Sequence, residues 1–94
     1  MYVTKSFTLK NESGFHVRPA ELFTKKAGSF LSDIRVKVND TGTEVDGKSI
    51  LGLMTLGIGK GANITITANG PDAEEAMAAL AELVESGFGE AAEA

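Results

Sequence analysis

The stretch DIRVKVN, residues 33–39, alternates apolar and polar side chains without a slip. Ile34, Val36 and Val38 fall on one side, Arg35 and Lys37 on the other. Side chains of a strand point to opposite faces in turn, so this segment has one face to bury and one to leave in water. SFTLK, with Phe7 and Leu9 on one side, and NITITA repeat the pattern. Each strand has a single apolar side, so the sheet they build is antiparallel and open on its other face.

Between the strands the apolar period changes. From Val17, the residues Ala20, Phe23, Ala27 and Phe30 are spaced three, four and three apart, which is one face of a helix. DTG is turn chemistry, so TEV returns as the hairpin partner of residues 33–39. Ser49 caps a short apolar helix, ILGLMTL. Gly57, Gly59 and Gly61 form a loop before NITITA. Gly70 and Pro71 turn the chain into a last helix, with Asp72 and Glu75 spaced as a capping box. Its buried stripe is Ala73, Ala76, Met77, Leu80, Leu83 and Val84. The expected order is βαββαβα, an α+β fold with three helices on one face of the sheet.

Composition narrows the possible functions. With 94 residues and 43% hydrophobic content the chain is one globular domain, expected over residues 1–88 with an acidic tail at 89–94. No cysteine is present, which excludes disulfides and thiolate zinc sites. No apolar run approaches the ~20 residues that span a bilayer. The first residues, MYVTKSF, lack the apolar segment of a secretory signal, so a cytoplasmic location without membrane insertion is expected. All nine Lys and Arg lie in residues 1–72, spread along the chain beside seven acids, and residues 73–94 hold six acids and no base. Without a concentrated basic patch, nucleic acid is not an expected partner.

GTEVDGKS, Gly42 to Ser49, matches the phosphate-loop pattern of nucleotide hydrolases. The chemistry opposes that reading. Glu44 and Asp46 would face a polyanion inside the loop, and a strand through the segment would straighten the cradle. Lys48 then reads as a solvated neighbour of the capping Ser49. A small nucleotide binder using Gly42 to Ser49 remains the third of three functional readings.

His16 is the single imidazole, in SGFHVRPAE. Pro19 belongs to a helix's first turn, where amides lack intrahelical partners. The amides of Val17 and Arg18 therefore lie beside the ring at the positive end of the helix dipole, and Arg18 adds a guanidinium. An anion on the ring would meet two N–H groups and a cation. A metal site is not expected, because one His supplies one ligand; no cofactor is implied.

GFHVRPAELFTKKAGSF followed by VDGKSILGLMTLGIGKGANITITANGPDAEEA resembles the histidine-containing phosphocarrier (HPr) family of the bacterial sugar phosphotransferase system. The resemblance runs roughly from residue 3 to residue 86. It implies an open-faced β-sandwich with strand order 1-4-2-3. It also implies a carrier rather than an enzyme, with phosphate passing from Enzyme I to His16 and on to the IIA domains of sugar permeases. Carried over, His16 is the phosphoacceptor at Nδ1, Arg18 and the backbone amides of Val17 and Arg18 hold the phosphoryl group, and Pro19 and Ala20 complete the motif. Ser49 matches a serine phosphorylated by a dedicated kinase, which adds HPr kinase/phosphorylase and a transcriptional regulator to the implied partners. Ile50, Leu51 and Met54 match the apolar docking surface. A monomer suits a shuttle with several partners. Phe15 and Val17 depart from common family residues and bear on partner preference. The second reading is accordingly a branch paralogue or a regulatory partner-binding module of the same fold.

Overall fold

A computed structural model describes residues 1–89; most of the tail expected at 89–94 lies outside the described residues. Seven elements follow in the expected order: β1 (Tyr2–Thr8), α1 (Val17–Gly28), β2 (Asp33–Val38), β3 (Glu44–Asp46), α2 (Ile50–Met54), β4 (Asn63–Asn69) and α3 (Ala73–Glu85). The strands form one antiparallel sheet ordered β1-β4-β2-β3. β4 lies between β1 and β2, pairing Phe7 with Ile64 on one side and Val36 with Ile66 on the other. That register brings the apolar positions of three strands into one row, so Phe7, Ile34, Val36, Val38, Ile64, Ile66 and Ala68 are all buried.

The helices cover that row. α1 buries Pro19, Ala20, Phe23 and Ala27; α3 buries Ala73, Ala76, Met77, Leu80, Ala81 and Val84, with Leu83 only half-buried at the rim. The opposite sheet face is polar, and its hydroxyls pair across strands. Ser6 lies 2.9 Å from Thr65, Thr8 donates to Asn63 at 2.7 Å, and Thr65 donates to Asn39 at 2.7 Å.

One local feature differs from the sequence-based expectation. Asp72 does not cap α3, so the capping box with Glu75 is not formed. Its carboxylate instead accepts the amides of Leu31 and Ser32 at 2.8 and 2.9 Å and the Ser32 hydroxyl at 2.6 Å. Three donors on one turn outcompete its own helix, and the bonds tie α3 to the link between α1 and β2. After α3 the chain turns back through Gly87–Gly89, with Phe88 at φ 55°. That left-handed conformation costs an L-residue roughly 1–2 kcal/mol.

Candidate functional site

His16 ends a loop and opens a helix. Its backbone is extended, at φ −64° and ψ 179°, and α1 begins at the next residue. The loop before it has little freedom. Gly14 lies at φ 57°, and a Cβ there would run into the carbonyl oxygen of Ile58. Only glycine satisfies both the backbone conformation and the close approach. The side-chain amide of Asn11, a buried residue, donates to the Gly14 carbonyl at 2.8 Å. Phe15 then turns inward and is 3% exposed. Its ring meets Phe23 edge-on at 5.5 Å between centroids and Phe88 at 5.8 Å. With Phe15 anchored inside, His16 is left exposed.

The ring of His16 makes no capping bond to α1. Its carbonyl accepts the Ala20 amide at 2.9 Å, the first bond of the helix. Pro19 is buried and has no N–H to satisfy. The amides of Val17 and Arg18 find no backbone acceptor among the described residues. Arg18 is exposed, and no carboxylate pairs with it among the described residues. Within two residues of an exposed imidazole the chain thus offers two amides and a guanidinium without a partner among the described residues, a setting able to receive an anion on the ring. No group of three metal-ligating side chains exists among the described residues.

His16 also lines an open hollow of about 330 Å³. Its own loop contributes Glu12 and Ser13, α2 contributes Met54, and the Gly57–Gly59 loop closes the far side. Glu12 is drawn to Lys60 at 3.3 Å, an exposed pair. Neither Glu12, Ser13 nor Ile58 carries a local sequence signal that marks it for this site. The signal available was Gly14 and the Gly57–Gly61 cluster, since glycines in two loops are what let the loops touch.

The α2 residues divide by burial. Leu51 and Met54 are 71% and 38% exposed, whereas Ile50 is half-buried and packs on the core beside the buried Leu53. Val17, 52% exposed on the neighbouring α1, extends the apolar surface. Phe15, expected with Val17 to bear on partner preference, is buried in the core and also lines the hollow beside His16. Ser49 stands outside the hollow: its Oγ accepts the Gly52 amide at 3.0 Å and caps α2.

The phosphate-loop reading fails on geometry. Glu44–Asp46 is strand β3, paired to β2, so no cradle surrounds a nucleotide. The Lys48 ammonium donates to the Phe30 carbonyl at 2.9 Å instead.

Comparison with known proteins agrees with this geometry. Residues 3–86 match the family described as PTS-HPr, the PTS HPr component phosphorylation site. A phosphocarrier protein HPr of Cupriavidus necator is 43% identical over 83 residues, covering 88% of this chain and 91% of that protein. A solved HPr of Thermoanaerobacter tengcongensis superposes with a TM-score of 0.88 at 42% identity, covering 94% of this chain and 97% of the other. A dimeric HPr structure from the same organism gives 0.74 at 44% identity, covering 89% and 94%. No helix among the described residues is long and apolar enough to cross a membrane.

Proposed function

The chain belongs to the PTS-HPr family, the phosphocarriers of the phosphotransferase system, and on that premise we propose that it accepts a phosphoryl group from phosphorylated Enzyme I on His16 and delivers it to IIA domains of sugar permeases. The observation that carries this reading is that His16 is exposed directly before the amides of Val17 and Arg18, which, like the Arg18 guanidinium, have no partner among the described residues. In the first step the Nδ1 lone pair of His16 forms a bond to phosphorus as the bond from phosphorus to Enzyme I breaks. The phosphoryl oxygens then face those two amides and Arg18. In the second step a IIA nucleophile attacks phosphorus, and the electron pair of the P–N bond returns to the ring. The protein acts as carrier rather than catalyst. Few contacts hold the group, so it moves on readily.

Two further parts of the reading rest on α2. Leu51 and Met54, with Val17, supply an exposed apolar surface beside His16 on which both partners dock. Ser49 is the regulatory position. A phosphate there adds about two negative charges at the edge of that surface and weakens docking, while suiting the start of its own helix. The working unit is residues 1–88 as a cytoplasmic monomer; light scattering at assay concentration checks this against the dimer that the Thermoanaerobacter tengcongensis relative forms.

The deciding experiment is incubation with phosphoenolpyruvate and Enzyme I. The chain should gain one acid-labile, base-stable phosphate, and His16→Ala should gain none. A phosphate that survives in His16→Ala sinks the assignment.

A further inference from the structure

The turn after α3 meets the histidine loop through an aromatic contact between Phe88 and Phe15. We propose that Phe88 is a positioning residue for His16, holding the loop that presents the imidazole; this deepens the phosphocarrier reading and rests on it.

Three observations lead there. Phe88 is the only residue other than glycine with a positive φ among the described residues, and it sits between Gly87 at φ 66° and Gly89 at φ 80°. A bulky residue keeps such a conformation only where its surroundings over-determine it. Here the conformation folds the ring back under the body of the protein, where it is 7% exposed. It meets Phe15 edge-on, with centroids 5.8 Å apart and planes at 68°. Phe15 has its other aromatic contact with Phe23, in the middle of α1. The residue preceding His16 is thus wedged between a core helix and the terminal turn.

The turn lies beyond the 3–86 span that matches the family, and its closing bond, Gly89 amide to Ser86 carbonyl at 3.3 Å, is long. Burying Phe88 is what holds it. Removing the ring uncovers one side of Phe15, which can then change rotamer. The peptide linking Phe15 to His16 moves with it. The ring of His16 then spends less time aligned with the amides of Val17 and Arg18, and phosphoryl transfer depends on that alignment. The exposed docking side chains Leu51 and Met54, on α2, keep their setting. The change therefore falls on kcat and not on KM.

The test uses the full chain as acceptor for phosphorylated Enzyme I, comparing Phe88→Ala and Phe88→Leu with the unmutated protein. Expected is a kcat about ten- to a hundredfold lower in Phe88→Ala, with Phe88→Leu between it and the parent and KM within about twofold throughout. Backbone amide resonances of residues 16–18 should shift and broaden in the same order. Parent kcat together with unshifted amides overturns the proposal. So does a rate loss that merely follows the unfolded fraction from melting curves. Should Phe88→Ala not fold, Phe88→Leu decides alone: reduced kcat at parent KM and native melting supports positioning, and parent kcat refutes it. If the unmutated chain takes no phosphate on His16, the carrier reading fails, and the amide spectra still decide whether Phe88 holds the loop.

Discussion

One side chain that leaves the core and one that enters it define the site. Phe15 is buried and His16, its neighbour, is exposed, so packing of the first aims the second. Arg18 is the only side-chain cation of the motif, and no carboxylate among the described residues competes for it. A hydrogen bond to a charged group contributes about 1.5–3 kcal/mol. Arg18→Ala should therefore slow transfer from phosphorylated Enzyme I by about ten- to a hundredfold at 1.4 kcal/mol per decade, with Arg18→Lys in between because it keeps charge without the fork. Rapid-quench rates check this; equal rates for all three would remove Arg18 from the mechanism. His16, Arg18 and Pro19 were legible because a helix start leaves a local signature, proline in the first turn and a lone imidazole before it. The partner of Phe15 was not legible. Nothing local in GFG shows that Phe88 adopts φ 55° and returns to a residue far away in sequence.

At the level of elements, α2 is short enough for its cap to matter. It spans Ile50–Met54, and Ser49 accepts its Gly52 amide. Ser49→Ala should cost about 1 kcal/mol in chemical denaturation. Ser49→Asp keeps a capping oxygen and adds charge, so it should keep most of that stability while raising KM for Enzyme I. The link between α3 and the α1–β2 connection is electrostatic. The Ser32 hydroxyl, and then the Leu31 amide, hold the Asp72 carboxyl below its ordinary value of 3.8. A folded-state value that is depressed contributes stability above the unfolded value and loses it as pH falls through the folded one. Asp72→Asn should thus be less stable than the parent at pH 7, with the gap closing as pH drops below about 4. Denaturation series at both pH values test this, and a gap that widens in acid would contradict it. The pairing of Asp72 with residues 31 and 32 could not be read from spacing. Ser/Thr/Asp before a helix signals a cap, but a turn brought alongside by the fold offered three donors at once.

For the whole molecule, a single core carries the fold, with Phe23 of α1 fully buried against Phe15 of the histidine loop. Phe23→Ala should cost about 3–5 kcal/mol, a large share of the ~5–15 kcal/mol that holds such a domain together. Calorimetry should show a fall in melting temperature well over ten degrees; a small shift would mean that the core tolerates the cavity. The period-two and period-3.6 patterns by themselves determined the element order, the open polar face and the start of α1. These properties depend on neighbours within one helical turn or one strand, so they are written locally. The tertiary structure alone decided which loops close on His16, that Met54 borders it, that Ile50 packs half-buried against the core while Leu51 stays exposed, and that Phe88 reaches Phe15. Those outcomes depend on how layers stack and which residues share a cavity, and no short stretch of sequence carries that distance information.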